Sequence, residues 1–243
     1  MMIALPIYLQ LVLEYNAMQA GLSLAPLSLS MFAVALLAGK RTGDHRPSAI
    51  IRLGFGMLTT GLILLIPIVP RVDTGWWLVV PLLISGSGLG LLVSQLNNYT
   101  LSPISEERVS EAAGVNSAAG SFGLSFGLAM AGGIMLAALS FSFTHLTENS
   151  KIIPPAEQQQ IAAALEDDAE VMSNTQLEQQ LKGQRPAVKA EILDINTDAR
   201  HRALQVALLI PILAALFGLF NAFRMMRLPD PQPSAALEGM ALG

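Results

Sequence analysis

The chain has 243 residues, of which 52% are hydrophobic and only 13% are charged, and its formal net charge is −4. Such an apolar composition argues against a water-soluble domain. The sequence contains no cysteine, which excludes disulfides, thiolate metal sites and cysteine nucleophiles, and its three histidines (His45, His145 and His201) are scattered. We therefore expect no metal, no cofactor and no enzyme activity. The lack of a large basic patch also argues against nucleic-acid binding.

The charged residues leave six uncharged stretches along the chain. These stretches are 1–13, 15–39, 53–70, 74–105, 112–144 and 203–223. Because about 20 apolar helical residues cross the roughly 30 Å core of a bilayer, each of the last five is predicted to span a membrane. The first has 13 residues and is predicted to be half of a helix, which suggests that the chain starts inside a longer protein. The sequence thus predicts an all-α integral membrane protein with the lipid bilayer as its surroundings.

The basic residues of the short connections predict how the spans are oriented. One side of the predicted membrane carries most of them, namely Lys40, Arg41, Arg46, Arg52, Arg108, Arg224 and Arg227. The short loops on the other side carry only Arg71. Because short loops rich in lysine and arginine stay in the cytoplasm, the first side is predicted to be cytoplasmic. We expect the chain in the cytoplasmic (inner) membrane, with its C-terminus in the cytoplasm.

The long segment 145–202 is predicted to lie on the outer side. After Pro154 and Pro155, an Ala-rich and Gln-rich run has apolar residues at helical spacing, and Gly183 and Pro186 interrupt it. This pattern favours a helical hairpin. Three interpretations of the hairpin stay open: a solvated cap, a docking surface for a periplasmic adaptor or cell-surface partner, and a flexible insert without a specific role.

The predicted organisation follows from these boundaries. Transmembrane helices one to five occupy 1–144, the outer helical loop 145–202, the last transmembrane helix 203–227 and the cytoplasmic tail 228–243.

Several motifs resemble one family of transporters. Residues 39–47, which include Gly39, Asp44 and Arg46, are similar to the loop between the second and third helices of each six-helix half in the major facilitator superfamily. Residues 5–10 and 19–26 resemble the start of the C-terminal half of fourteen-span drug:proton antiporters, and 86–90 and 113–116 continue the pattern. The resemblance covers 1–227. It implies a six-helix half-bundle, with its first helix truncated and an extracytoplasmic helical hairpin inserted before the last helix.

Polar side chains inside the predicted spans are candidates for a substrate cavity, because such residues usually face a bundle interior or water. They are Tyr8, Gln10, Gln95, Asn98 and Asn116. The resemblance implies that the helix carrying Tyr8 and Gln10 lines the central cavity. Hydrogen bonding between helices is the alternative role for all five residues.

Two further groups of residues are candidates for coupling and helix packing. Glu14 is the only acid near membrane depth, so it is the coupling candidate of this chain, and a simple position at the end of a helix is the alternative. Asp44 and Arg46, with Gly39, form the cytoplasmic loop motif, which either latches a conformation or only determines topology by charge. Small residues allow helices to approach closely in lipid, and the candidates for packing are Gly86, Gly90, Gly120, Gly123 and Gly127.

The resemblance implies the C-terminal half of a proton-coupled multidrug or small-molecule exporter that works by alternating access. Its expected partners are an amphipathic small-molecule substrate and an N-terminal half of six or eight helices. The alternative is a non-transporting membrane scaffold or assembly subunit, whose outer hairpin docks a partner. The polar glutamine and asparagine positions favour a cavity, whereas the absence of charge within the spans suits a scaffold.

Overall fold

The computed structural model describes residues 4–40, 46–71, 74–167, 172–225 and 227, apart from the side chains of Ala4, Lys40, Asn98 and Glu106. The described residues form eight α-helices: α1 (Ala4–Leu11), α2 (Ala17–Lys40), α3 (Pro47–Ile68), α4 (Val79–Leu101), α5 (Val109–Glu148), α6 (Pro155–Asp167), α7 (Asn174–Gln180) and α8 (Pro186–Met225). Short 3-10 turns lie at Val69–Arg71, Gly75–Leu78, Glu106–Arg108 and Leu181–Gly183.

Five of these helices are long and apolar enough to cross a membrane. They are α2, α3, α4, α5 and α8, and each contains one of the long uncharged stretches. In contrast, α1 has 8 residues, which at a rise of about 1.5 Å per residue gives a length of only about 12 Å. The structure therefore confirms an all-helical protein with five candidate spans, and the described residues do not show a sixth.

Local capping residues determine where several helices begin. Before α2, the Asn16 side chain accepts a hydrogen bond from the Gln19 N–H (2.9 Å), and the Gln19 side chain accepts one from the Asn16 N–H (3.0 Å). Ser173 and Gln176 make the same reciprocal arrangement at the start of α7. These bonds satisfy N–H groups that have no acceptor within their own helix. α3 instead begins with Pro47, whose missing N–H costs nothing at the first helical position.

The two helices that flank the long insert (residues 149–185) continue well beyond the uncharged stretches. Both α5 and α8 have 40 residues, or about 60 Å, which is roughly twice the thickness of a bilayer core. Helix boundaries therefore fall at Glu148 and Pro186, whereas the sequence placed its domain boundaries at 144/145 and 202/203. The extra turns stay helical because they pack against the insert.

The chain divides into two compact units, each made of three segments. The first contains Met1–Leu24, Ile66–Leu78 and Gly127–Pro211, and its core is formed by the insert against the end of α5 and the start of α8. The buried residues of this core are Leu139, Phe143, Ile153, Leu165, Leu177, Val188, Ile192, Ile195, Ala199 and Ala203. The insert is thus a packed structure within this unit.

Polar contacts tie the insert together in addition to its apolar core. Ser150 donates to the Glu191 carboxylate (2.6 Å), and the Lys189 ammonium pairs with Glu178 (2.8 Å). The guanidinium of Arg200, which is 7% exposed, donates to the Asn196 side chain (3.2 Å) and to the Met172 carbonyl (2.9 Å). These bonds join α8 to Ser150 before α6, to Met172 before α7 and to Glu178 within α7.

The second unit contains Ala25–Leu65, Val79–Phe126 and Ile212–Gly243. Within it, α4 contacts α2 through one face and α3 through another. Three glycines make these close approaches possible. A Cβ at Gly86 or Gly90 would meet backbone atoms of α2, and a Cβ at Gly88 would lie 2.6 Å from the Gly54 carbonyl oxygen and the Leu58 nitrogen of α3.

Candidate functional site

Tyr8 joins three elements of the first unit through its hydroxyl group. The side chain is 4% exposed, and its hydroxyl donates to the Val69 carbonyl at 3.1 Å. The same oxygen lies 2.8 Å from Nε2 of His201, and the two rings have their centroids 5.6 Å apart. A single phenol therefore connects α1, the turn after α3 and α8.

A direct bond between α8 and α3 lies one helical turn further along α8. The Gln205 amide donates to the Ile66 carbonyl at 2.8 Å. Gln10, the other candidate on α1, is exposed, and its amide donates back to the Pro6 carbonyl of the same helix at 3.3 Å. Of the two polar candidates on α1, Tyr8 therefore makes long-range contacts, whereas Gln10 bonds to its own helix.

Glu14 receives two short hydrogen bonds from the insert. Its carboxylate accepts from the backbone N–H and from the hydroxyl of Thr175, each at 2.6 Å. Thr175 is the second residue of α7, so its N–H is one that the helix leaves without an internal acceptor. Glu14 itself has φ = 52°, in the left-handed region that residues other than glycine rarely adopt. This strained turn holds the carboxylate at the start of α7.

The hydrogen bonds from the Thr175 hydroxyl and N–H hold the pKa of the Glu14 carboxylate below its ordinary value of 4.5. Both bonds stabilise the charged form, and together they outweigh the opposing effect of burial. A lowered pKa means that the contact contributes fully above the ordinary carboxyl range and is lost as the pH falls through the lowered value.

We expect Glu14→Gln to loosen the start of α7 at neutral pH, because the neutral amide accepts hydrogen bonds more weakly than a carboxylate. The rate of tryptic cleavage after Lys182 measures this change in lipid nanodiscs. The wild-type rate, corrected for the activity of trypsin, should stay constant between pH 7.5 and 6, whereas the variant should be cleaved faster throughout. Glu157→Gln is the control, because Glu157 is exposed at the start of α6 and should leave the cleavage rate unchanged. Equal rates for wild type and Glu14→Gln would refute the role of the contact.

In the second unit, Asn116 links α5 to α4. Its amide donates to the side-chain oxygen of Asn97 at 2.8 Å. Gln95 is 1% exposed and lies inside the same unit, whereas the side chain of Asn98 lies outside the described residues.

A cavity of about 660 Å³ lies beside Asn116, between the end of α4 and the start of α5. Its lining is mostly apolar and includes Leu101, Ile104 and Val115. Arg108 and Glu111, which pair at 3.3 Å, add charge to the lining. The volume lies within the range of about 300–1,000 Å³ that is typical of small-molecule sites, and an apolar lining with a few polar groups is their usual composition.

The glycine candidates differ in their surroundings. Gly86 and Gly90 are buried against α2. Gly120, Gly123 and Gly127 lie on α5, where an added Cβ would meet no atom of the described chain within 4 Å. Packing through these three glycines would therefore need a surface outside the described residues, and it stays a prediction.

The cytoplasmic loop motif is only partly described. Gly39 lies near the end of α2, and the carbonyl of Arg46 accepts a hydrogen bond from the Ala49 N–H (3.0 Å) at the start of α3. Asp44 lies outside the described residues.

Sequence reasoning missed His201 and Gln205, which the structure places with Tyr8 and the end of α3. A signal was present, because Asp198, His201 and Gln205 recur at spacings of three and four residues, which places them on one face of a helix. The charge pattern assigns the stretch before residue 203 to the outer loop, so it does not predict that this polar face lies beside α3.

Three curated relatives resemble the chain over about 150 residues. The uncharacterized transporter YebQ of Escherichia coli is 30% identical over 148 residues, which are 60% of this chain and 32% of the relative. A probable actinorhodin transporter of Streptomyces coelicolor is 26% identical over 147 residues (59% and 25%). The multidrug resistance protein Stp of Mycobacterium tuberculosis is 28% identical over 158 residues (65% and 29%).

The chain thus spans between a quarter and a third of the length of these relatives. No solved structure matches it significantly. Residues 1–128, just over half of the chain, match the Major Facilitator Superfamily. Together with the five apolar helices, this match shows that the chain is an integral membrane protein and belongs to the Major Facilitator Superfamily.

Proposed function

We propose that the chain is the C-terminal half of a proton-coupled exporter of amphipathic small molecules, of the fourteen-span antiporter type. The cavity beside Asn116 is the observation that carries this proposal. It combines an apolar lining with the Arg108–Glu111 pair and the amide of Asn116, which suits a ligand with both an apolar body and a polar or charged group. Two relatives whose names refer to multidrug resistance and actinorhodin transport support export of such compounds.

Alternating access requires a second set of helices, which we propose is an N-terminal half of six or eight spans. The exposure of α5 supports this part of the proposal. In the most apolar stretch of α5, only 6% of the residues are buried. Large side chains such as Phe122 and Phe126 are exposed. In this arrangement, lipid and the second half cover α5 together, and Gly120, Gly123 and Gly127 allow close approach.

The topology that we propose places the insert outside the cytoplasm and the C-terminus inside, in the inner membrane. The distribution of lysine and arginine over the short loops supports it. Trp76 and Trp77, in the turn before α4, are 82% and 64% exposed. Such exposure is expected for aromatic side chains in the interfacial layer on the non-cytoplasmic side of the membrane. Because the chain has no cysteine, a single cysteine introduced at Gln184 tests this topology. A thiol reagent that does not cross the membrane should label it from the outer side only.

Transport by everted vesicles tests the proposed export. With the protein as its gene encodes it, we expect uptake of the fluorescent cation ethidium when the vesicle interior is acidified, and loss of uptake when an ionophore collapses the pH gradient. Asn116→Ala should weaken apparent affinity roughly 2- to 10-fold, the effect of one hydrogen bond of about 0.5–1.5 kcal/mol.

Ser117→Ala is the matched control, because Ser117 is the next residue of α5 and does not line the cavity. It should transport like the wild type. Uptake that ignores the pH gradient would refute proton coupling. An equal affinity in both variants would refute the cavity as the substrate site, and no transport of any amphipathic compound would favour the scaffold alternative.

A further inference from the structure

The pair Tyr8–His201 brings two titratable groups together at the junction of three elements. Tyr8 is the only titratable residue of α1, and its ring is buried. His201 is half-buried on α8, 193 residues away in sequence. The distance of 2.8 Å between the tyrosine oxygen and Nε2 is that of a good hydrogen bond.

The direction of this bond follows from counting protons. A tyrosine hydroxyl has one proton to donate, and neutral imidazole has one nitrogen that donates and one that accepts. If the hydroxyl proton goes to the Val69 carbonyl, as the 3.1 Å contact indicates, the bond to His201 requires a proton on Nε2. Imidazolium meets this requirement always, and neutral imidazole meets it in only one of its two tautomers.

Loss of the proton from Nε2 therefore has a structural consequence. The Tyr8 hydroxyl then satisfies the bare nitrogen only by turning its proton away from Val69. The Val69 carbonyl loses that donor, and with it one of the contacts between α1 and the end of α3. The bond from Gln205 to the Ile66 carbonyl does not depend on pH in this way, because an amide does not titrate.

Burial and charge act in opposite directions on a proton at His201. Burial of the ring disfavours imidazolium and is the larger effect, whereas Asp198, three residues earlier on the same face of α8, stabilises it. The guanidinium of Arg200 is engaged by Asn196 and Met172, and Arg202 is exposed on α8. Arg71, in the turn after α3, donates to the Pro67 carbonyl at 2.7 Å. α1 contributes no charged residue.

We propose that Tyr8 and His201 form a proton-binding site, in which a proton on Nε2 of His201 leaves the Tyr8 hydroxyl bonded to the Val69 carbonyl, and loss of that proton from Nε2 removes this bond between α1 and the turn after α3. The proton comes from water and returns to water, and no covalent bond other than its N–H bond changes. The further role of His201 as a coupling residue, beside the candidate Glu14, rests on the exporter function proposed above. Proton binding itself does not.

Nuclear magnetic resonance in lipid nanodiscs tests proton binding without transport. The chain carries ¹⁵N-histidine and ¹³Cζ-tyrosine, and spectra of His201→Gln and Tyr8→Phe assign the two resonances. Between pH 5 and 8, the Tyr8 resonance should move with the same midpoint as His201. In Tyr8→Phe, that midpoint should fall by about one pH unit, because imidazolium loses an acceptor. In Gln205→Leu, which removes only the amide bond, it should stay in place.

The outcomes separate the proposal from its alternatives. A Tyr8 resonance that stays constant while His201 titrates would overturn it, as would an unchanged midpoint in Tyr8→Phe. If Tyr8→Phe does not fold, the wild-type protein alone tests the proposal, because its Tyr8 resonance either moves with that of His201 or stays constant.

The coupling role has its own test in everted vesicles. His201→Gln should abolish uptake driven by the pH gradient while leaving equilibrium binding of ethidium within about twofold. Retained coupling in His201→Gln would refute this role. If the wild type shows no transport but the resonances move together, the exporter function fails and the proton-binding site stands.

Discussion

Gly88→Val is expected to lower the yield of folded protein in the membrane severely. A Cβ at position 88 would lie 2.6 Å from two backbone atoms of α3, the Gly54 oxygen and the Leu58 nitrogen. Backbone atoms in a packed helix cannot shift independently, so α3 and α4 would have to separate. The cost should exceed the roughly 1–3 kcal/mol typical of an overpacked core. Fluorescence-detected size-exclusion chromatography after heating measures both the yield and the apparent melting temperature.

Gly120→Val is the matched control for this prediction. It is the same substitution in a spanning helix, but an added Cβ at Gly120 meets no described atom within 4 Å. We expect its yield and melting temperature to equal those of the wild type in this chain. Equal losses in both variants would show that valine is disfavoured in these helices generally, and would contradict close packing at Gly88. In the protein as its gene encodes it, a loss in Gly120→Val alone would support packing of α5 on the proposed second half.

Phe143→Ala is expected to open the insert. The ring of Phe143 is fully buried in the core formed by α5, the insert and α8. Truncation of a buried phenylalanine typically costs about 3–5 kcal/mol, because it removes apolar contacts and leaves a cavity. Tryptic cleavage after Lys182, which is exposed between α7 and α8, should become at least tenfold faster, since each 1.4 kcal/mol corresponds to about a factor of ten.

Phe141→Ala provides the control within the same helix. Its ring is 71% exposed and stacks on His145. The cleavage rate of Phe141→Ala should remain within about twofold of the wild-type rate, because exposed substitutions usually change stability by less than 0.5 kcal/mol. Unchanged cleavage in Phe143→Ala would indicate that the insert does not depend on this core.

The spans and the class of protein could be predicted from the sequence. A helix crosses a bilayer if about 20 consecutive residues are apolar, and this property belongs to each segment alone. The five long stretches therefore predicted the five candidate spans. The motif around Gly39 and Arg46 predicted the family in the same local way, since it depends on neighbouring residues.

The ends of the helices were harder to predict than their existence. Charge marks where a segment leaves the apolar layer, but it does not mark where the helix ends. α5 continues to Glu148, and α8 already begins at Pro186, because the turns next to the insert gain contacts with it. Those contacts join residues far apart in sequence, so the local pattern does not contain them.

The sequence by itself thus determined the membrane class, the five spans and the family of this protein. Only the tertiary structure decided which polar residues meet: Tyr8 with His201, and Glu14 with Thr175, 161 residues apart. It also distinguished glycines of similar sequence context, since a Cβ at Gly88 would meet the α3 backbone, whereas one at Gly123 would meet no described atom outside the backbone of its own helix. The physical reason is that apolarity acts on each segment separately, whereas hydrogen bonds and close packing depend on the relative positions of two segments.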